Sequence, residues 1–260
     1  MAGSKPSDTY LEQDGMTGFL MKKAAAFGCA LSALAVMAAP ALAQSEEELV
    51  AAFSGDWYVF DPAFRSGGAE CKITLDPEMA ATVSGCGAAL IGIATWRIED
   101  GQIMLADGAD QVVAALGGNQ QRITGTLVDS GQGLIVERAE GDGAAVAIRN
   151  ALGRHRCYFI GFTRSCAGSD EMAAPQPSAE DPSLGRIEVL ANLNVRTQPR
   201  RDAAVIGVVQ EGTPVAVDYC TVASDGVWCR AVFGTQAGWL AKTALRQNEW
   251  PIITYRISTE

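Results

Sequence analysis

The chain has 260 residues, of which 48% are hydrophobic and 19% charged, and its formal net charge is −10. This apolar content excludes a disordered protein, and the negative charge argues against a surface that binds nucleic acid. Only one apolar stretch approaches the length that spans a bilayer, which excludes a multi-pass membrane protein. The single histidine, His155, limits catalysis, because a catalytic triad or a multi-histidine zinc site would have to use it.

The first 43 residues have the pattern of an extension followed by a signal peptide. Met21-Lys22-Lys23 is a basic start, residues 24–39 are apolar and almost uncharged, and Ala41-Leu42-Ala43 has the small-x-small pattern that signal peptidase cleaves. A membrane anchor is the alternative, but the apolar run is short and rich in alanine. We therefore expect cleavage after Ala43 and a periplasmic or secreted chain, residues 44–260, without a membrane anchor.

Six cysteines remain after this cleavage, and they fall into three local pairs. In an oxidising compartment, the simplest set of disulfides joins Cys71 to Cys86, Cys157 to Cys166 and Cys220 to Cys229. Each would stabilise the fold by about 2–4 kcal/mol. A redox or zinc role is the alternative, but the sequence has no C-x-x-C motif and no second histidine. We expect structural disulfides, no metal site and no cofactor.

Short alternating apolar runs separated by Gly, Asp and Pro predict an all-β first domain over residues 46–138. The predicted strands are residues 57–60, 71–75, 81–83, 94–98, 102–105, 111–114, 122–127 and 134–137. Asp100-Gly101 between two of them predicts a tight hairpin. Eight short strands without a long helical pattern between them indicate an antiparallel barrel or sandwich.

Residues 139–183 separate this domain from the next one. We expect residues 144–148 and 157–162 to form a hairpin closed by the disulfide between Cys157 and Cys166, and we assign no function to it. Residues 173–183 are rich in Pro, Ser and acidic residues and have no apolar periodicity. This composition predicts a flexible, extended linker.

A second, smaller all-β domain is predicted over residues 184–247, followed by a C-terminal tail over residues 248–260. Its predicted strands include residues 187–190, 205–209, 214–217, 227–232 and 238–240. A domain of this size has a marginal core, so a disulfide between Cys220 and Cys229 would add needed stability.

An ordered set of residues runs through the first domain. It consists of Phe53-Ser54-Gly55-Asp56-Trp57, Cys71-Lys72-Ile73-Thr74-Leu75, Cys86, residues 95–108 and Leu134-Ile135-Val136-Glu137-Arg138. With this set, the domain resembles the alkaline proteinase inhibitor family, whose members inhibit serralysin-type zinc metalloproteases. The resemblance implies a small eight-stranded barrel with one disulfide, from which a few N-terminal residues enter the protease cleft and bring a free α-amino group to the zinc. The corresponding protease-binding arm here consists of Gln44, Ser45, Glu46, Glu47 and Glu48.

The arm also carries a signal for a helix. Ser45 and Glu48 form an S-x-x-E capping box, which predicts a helix over residues 46–53 and would leave little extended arm. An N-terminal Gln44 can cyclise, which would remove the α-amino group. The three glutamates are alternative zinc ligands, but a solvated helix start is the simpler interpretation.

A second set of residues runs through the second domain. It consists of Leu193-Asn194-Val195-Arg196 with Pro199, Val205-Ile206-Gly207, residues 211–215, residues 228–232 and Gly238-Trp239-Leu240. With this set, the domain resembles the bacterial SH3 family. The resemblance implies a second, small SH3-like barrel that binds cell-wall peptides, glycans or proteins in a groove formed by Arg196, Trp228 and Trp239. For the two tryptophans, core packing is the alternative interpretation.

These observations lead to one functional hypothesis and one alternative. The sequence contains no G-x-S-x-G, H-E-x-x-H or P-loop motif, so we do not expect an enzyme. We expect a periplasmic or secreted inhibitor of a metalloprotease, whose second domain binds peptidoglycan or an envelope protein. The alternative is a non-inhibitory adaptor of the cell envelope.

Overall fold

The computed structural model of the protein describes residues 45–176 and 184–258. The predicted extension and signal peptide, Gln44, and residues 177–183 of the predicted linker lie outside these ranges. Within the ranges, none of the helices has the length and apolar character needed to cross a bilayer.

The first domain is a barrel preceded by helix α1 (Glu46–Phe53). Its strands are β1 (Gly55–Val59), β2 (Cys71–Leu75), β3 (Ala81–Ser84), β4 (Ile93–Glu99), β5 (Gln102–Asp107), β6 (Val112–Gly118), β7 (Arg122–Leu127) and β8 (Gly133–Glu137). They form one antiparallel sheet in the order β3-β2-β1-β8-β7-β6-β5-β4. A bridge between Ala80 and Thr95 joins the two ends of this sheet, so the barrel is nearly closed. The predicted eight-stranded antiparallel barrel is confirmed.

The core of this barrel follows from the alternation of its strands. Strand β2 buries Cys71, Ile73 and Leu75 and leaves the residues between them half-buried, as expected for a strand with one face in a core. Trp57 and Trp96 are among the largest fully buried side chains in the described residues.

The covalent and turn features expected from the sequence are present. Asp100 and Gly101 have φ values of 51° and 73°, and these positive values suit the tight hairpin predicted between β4 and β5. The three expected disulfides are formed, between Cys71 and Cys86, Cys157 and Cys166, and Cys220 and Cys229.

The expected hairpin after the first barrel is wrong, because residues 144–148 are helical. Helix α2 (Gly143–His155) is capped by Asp142, whose Oδ1 accepts a hydrogen bond from the Ala145 N–H at 2.9 Å. The buried residues of α2 recur at every third position: Ala145, Ile148 and Ala151. A short apolar run does not distinguish a strand from a buried helix segment. Here the spacing of the buried residues is that of a helix.

The rest of the described chain is mostly strands. Strand β9 (Phe159–Ile160) and helix α3 (Ser169–Met172) come first. They are followed by β10 (Gly185–Val189), β11 (Leu193–Arg196), β12 (Val205–Val209), β13 (Pro214–Ala223), β14 (Gly226–Phe233), β15 (Gln236–Ala241), β16 (Thr243–Arg246), β17 (Trp250–Ile253) and β18 (Tyr255–Ile257). A sheet in the order β12-β11-β15-β14-β13-β10-β18 forms the second domain. The all-β second domain is confirmed.

Residues 248–260 were expected to be a tail, but they contribute β17 and β18. Strand β18 pairs with β10 at one edge of the main sheet. Strand β17 pairs with β16 and, in parallel, with β9. These pairings bury Ile252, Ile253 and Tyr255, and they join the loop closed by Cys157 and Cys166 to the second domain.

Lys242 joins the second domain to the segment before residues 177–183. Its side chain is fully buried, and Nζ donates a hydrogen bond to the Ala173 carbonyl oxygen at 2.8 Å. Nζ also lies 4.9 Å from the centre of the Tyr255 ring. Burial lowers the pKa of Lys242 from 10.5 to about 8, because the ammonium loses hydration.

The two domains are joined by a buried ionic network around Arg122. The Arg122 Nη2 atom lies 2.8 Å from Glu137 Oε1 and 2.7 Å from Asp225 Oδ1, and Nη1 donates to the Pro199 carbonyl oxygen at 3.1 Å. Arg122 is 1% exposed, and the side chains of Glu137 and Asp225 are fully buried. Arg122 and Glu137 belong to the first barrel, whereas Pro199 and Asp225 belong to the second domain.

Further hydrogen bonds cross the same interface. Glu137 accepts hydrogen bonds from the N–H and the hydroxyl of Ser224 at 2.7 and 2.6 Å. Asp61 accepts hydrogen bonds from the Thr221 hydroxyl at 2.9 Å and the Val222 N–H at 3.1 Å. These contacts satisfy the carboxylates that the interface removes from water.

The two buried carboxylates of the network respond differently to their surroundings. Burial raises the pKa of Glu137 despite the nearby Arg122 guanidinium. Burial also acts to raise the pKa of Asp225, but Arg201 and Arg122 outweigh it and hold that pKa below its usual value. Asp225 is therefore the more firmly ionised of the two.

Replacing Arg122 tests this network. Arg122→Ala should lower the free energy of unfolding by about 3–5 kcal/mol, because it leaves Glu137 buried without a cation and Asp225 with Arg201 as its remaining ionic partner. Urea unfolding with the disulfides intact measures the change. Arg97 makes only solvent-exposed ion pairs, so the control Arg97→Ala should cost no more than about 1 kcal/mol. Equal losses in the two variants would contradict the role given to Arg122.

The buried lysine predicts a pH dependence. Below pH 8 both the folded and the unfolded chain hold the Lys242 proton, whereas between pH 8 and 10.5 the unfolded chain binds it more strongly. The free energy of unfolding of the wild type, relative to Lys242→Met, should therefore rise with pH across this window. Urea unfolding of both proteins measures the difference, and parallel curves would contradict the prediction.

Candidate functional site

The predicted protease-binding arm lies at the start of α1. The Ser45 hydroxyl accepts a hydrogen bond from the Glu48 N–H at 3.2 Å, and Glu48 Oε2 accepts one from the Ser45 N–H at 2.9 Å. This capping box and the helix over residues 46–53 were predicted and are confirmed. Ser45, Glu46, Glu47 and Glu48 are all exposed. The helical part of the arm therefore begins at Glu46, and Gln44 lies outside the described residues.

The other end of α1 is fixed to the first barrel by Arg138. Its guanidinium lies 4.0 Å from the centre of the Trp57 ring and donates hydrogen bonds to the carbonyl oxygens of Ala52 and Ser54 at 3.1 and 3.0 Å. The Trp57 indole N–H donates to the Phe53 carbonyl oxygen at 2.8 Å. The last carbonyls of a helix have no partner within it, and here two side chains of the barrel bind them.

The three predicted groove residues of the second domain line two cavities. Trp228 is 1% exposed and its indole N–H donates to Asp225 at 3.0 Å. Trp239 is half-buried and contacts Tyr219 edge to face, beside Gly133 of the first barrel. Arg196 and Trp228 line a common cavity, whereas Trp239 lines a different one. Arg196 and Trp239 are cross-strand partners on β11 and β15, so these two residues are neighbours in the sheet.

The cavity shared by Arg196 and Trp228 has a volume of about 310 Å³. Sequence reasoning missed three of its residues: Arg201, Arg246 and Phe162. Arg201 lies two positions after Pro199, the last residue of the SH3 motif that begins at Leu193, and that proximity was the available signal. Phe162 comes from a segment to which the sequence analysis assigned no function, and Arg246 lies at the end of the predicted second domain. The pairing of β17 with β16 and with β9 brings them to the same cavity.

The cavity is electrostatically positive. Burial and the neighbouring Arg201 charge lower the pKa of Arg196, which means that its positive charge is unfavourable there. Arg201 donates to Asp225 at 2.8 Å. Arg246 lies 5.8 Å from the ring centres of both Phe162 and Trp250. An anion in this cavity would relieve the repulsion between the arginines.

His155 lies among aromatic side chains. Its ring is half-buried, 4.3 Å from the Trp250 ring and 5.7 Å from the Phe159 ring. Its Nε2 atom is buried without a hydrogen-bond partner in the described part of the chain. Within that part, no group of three or more His, Cys, Asp and Glu side chains is arranged to hold a metal ion.

Comparison with known proteins identifies the second domain. Residues 191–246 match the family model of the bacterial SH3 domain. This range runs from the start of β11 to the end of β16 and includes Arg196, Trp228 and Trp239. No curated protein matches the chain.

Two solved structures align with the chain at low similarity. One is the crystal structure of a psychrophilic marine protease MP inhibitor, with 19% identity over 35% of this chain and 98% of that chain and a TM-score of 0.27. The other is the NMR solution structure of lysostaphin, with 11% identity over 77% of this chain and 79% of that chain and a TM-score of 0.24.

The attachment of α1 is testable by hydrogen exchange. Arg138→Lys keeps the charge but loses the guanidinium, whose Nη2 donates to both carbonyls while Nη1 donates to the Asp56 carbonyl oxygen and Nε to that of Gln120. A hydrogen bond to a charged group contributes about 1.5–3 kcal/mol, so the α1 amides should exchange about 10–100-fold faster. Arg65 also binds carbonyl oxygens of the first barrel, but away from α1, so Arg65→Lys is the control. Unchanged protection of α1 in Arg138→Lys would contradict this role.

Proposed function

We propose that this chain is an exported proteinase inhibitor of a serralysin-type zinc metalloprotease, and that its SH3 domain binds the cell wall or a protein of the envelope. The observation that carries the proposal is the rigid attachment of α1, which presents exposed residues Ser45–Glu48 from a barrel that resembles the inhibitor family in sequence. Three disulfides fit an oxidising compartment outside the cytoplasm.

The attachment matters because binding requires order. A segment that is already fixed loses little conformational entropy when it enters a protease cleft. Arg138 and Trp57 hold the C-terminal end of α1 through three hydrogen bonds to helix and cap carbonyls. The capping box holds its N-terminal end. The arm of this chain is thus a short, preorganised helix start rather than a long extended strand.

Two kinds of group in the arm can ligate a catalytic zinc ion: an amine and carboxylates. The neutral α-amino group of Gln44 is a nitrogen donor, provided that Gln44 has not cyclised. The carboxylates of Glu46, Glu47 and Glu48 are oxygen donors, and zinc accepts both kinds of ligand. Glu48 is engaged by the capping box, which leaves Glu46 and Glu47 as the available carboxylates.

The second candidate function is a non-inhibitory adaptor of the envelope, and a specific observation favours it. The capping box makes the arm helical from Glu46 onward, so few residues can extend into a deep cleft. In this case the first barrel is a binding scaffold and the SH3 domain carries the binding activity.

An inhibition assay separates the two functions. The chain comprising residues 44–260 should inhibit a serralysin-type protease at micromolar concentration. Deleting residues 44–48 should weaken inhibition at least about 30-fold, the loss expected when a central anchor of an interface is removed. Intact mass shows whether Gln44 has cyclised, and Glu46→Gln with Glu47→Gln is the control that separates the amine from the carboxylates.

Each outcome of the inhibition assay supports a different conclusion about the arm. Inhibition that is lost with the cyclised N-terminus but kept in the glutamine variant would assign zinc binding to the amine. Absence of inhibition by both the full and the shortened chain would contradict the inhibitor function. The adaptor function would then require that the full chain sediments with purified peptidoglycan sacculi.

A further inference from the structure

We propose that the cavity lined by Arg196, Arg201 and Arg246 binds a carboxylate, the C-terminal carboxylate of a peptide. The proposal rests on the binding role proposed above for the SH3 domain and names its site and ligand chemistry. It does not depend on inhibition by the first barrel.

The first argument is charge. The chain has a net charge of −10, yet among the described residues three arginines and no Asp or Glu line this cavity. Arg201 is paired with Asp225 at 2.8 Å. Neither Arg196 nor Arg246 takes part in an ion pair within residues 45–176 and 184–258. Two guanidiniums without an ionic partner in the described residues therefore face one cavity, where an anion is favoured over water.

The second argument is hydrogen-bonding capacity. Arg196 uses Nη1 to donate to the Ala203 carbonyl oxygen at 2.7 Å, and a guanidinium has five N–H donors. Arg246 makes ring contacts to Phe162 and Trp250, which leave the in-plane N–H groups available. Planar guanidinium donors match the two oxygens of a carboxylate, and such charge-assisted bonds are the stronger kind.

The third argument concerns the part of the ligand to which the carboxylate is attached. The cavity walls include the apolar side chains of Leu193, Trp228 and Ile252, and Phe162 at its mouth is 59% exposed. About 310 Å³ is at the lower end of the range for small-molecule sites, which suits one or two amino-acid residues. Asn194 is exposed at the same cavity, and its amide can pair with a peptide bond.

These properties distinguish a peptide carboxylate from a polyanion. A nucleic acid or another highly charged polymer would be repelled by the net negative charge of the chain. Apolar side chains and arginines lining the same cavity instead fit a single anionic group attached to a small, partly apolar body.

Calorimetry on the full chain from residue 44 tests the proposal with a defined probe, N-acetyl-alanyl-alanine, and its C-terminal amide. The acid should bind, and the amide should bind at least about tenfold more weakly because it lacks the charge that the arginines recognise. Arg246→Gln and Arg196→Gln should each weaken binding of the acid at least about tenfold. Arg186 is exposed on β10, outside this cavity, so Arg186→Gln is the matched control and should bind like the wild type.

Several results would overturn the proposal. These are equal binding of acid and amide, no binding of the acid at millimolar concentration, or unchanged binding in Arg246→Gln, a variant that removes no ion pair of the described chain. Tighter binding of inorganic phosphate than of the acid would also overturn it.

Sedimentation with sacculi separates this proposal from the proposed function. Retention of both the wild type and Arg246→Gln, without binding of the acid, would leave the envelope role intact and reject the carboxylate site. Binding of the acid without retention on sacculi would support the site and reject cell-wall attachment.

Discussion

Arg122 carries a positive charge at a position that is 1% exposed, and the arrangement of the two domains depends on how that charge is balanced. Its guanidinium contacts Glu137 on β8, Asp142 before α2 and Asp225 between β13 and β14. Removing these ions from water is unfavourable, and only good geometry between them offsets the cost. Sliding one domain against the other would break several of these contacts at once, so the network fixes a single orientation.

This orientation has a consequence for binding. A Pro/Ser-rich connection would by itself let two domains move independently, but here the contacts of Arg122, Glu137 and Asp61 hold them together. Asp225 also accepts hydrogen bonds from Trp228 and Arg201, two residues of the cationic cavity. The same carboxylate therefore closes the domain interface and positions one wall of the cavity.

The sequence predicted the local features and missed the long-range ones, for physical reasons. Alternation revealed β2 and β7, and the spacing of Cys220 and Cys229 revealed a pair that the structure places opposite each other on β13 and β14. Helix α2 was missed because its apolar run is too short to show its period. Arg122 and Asp225 are 103 positions apart, and the sequence around either residue contains no pattern that predicts the contact with the other. The cavity was not predicted for the same reason, because Phe162 and Arg246 come together only through the pairing of β9 with β17.

The two candidate binding surfaces have opposite charge. The start of α1 exposes three glutamates at the positive end of a helix dipole. The cavity of the SH3 domain is instead lined by arginines and apolar side chains. A ligand that suits one surface is repelled by the other, so the two surfaces do not compete for the same partner. Because the Arg122 network holds both domains in one body, a partner bound at each surface would be kept at a fixed separation. This geometry supports simultaneous binding of a protein through α1 and of an anionic peptide through the SH3 domain.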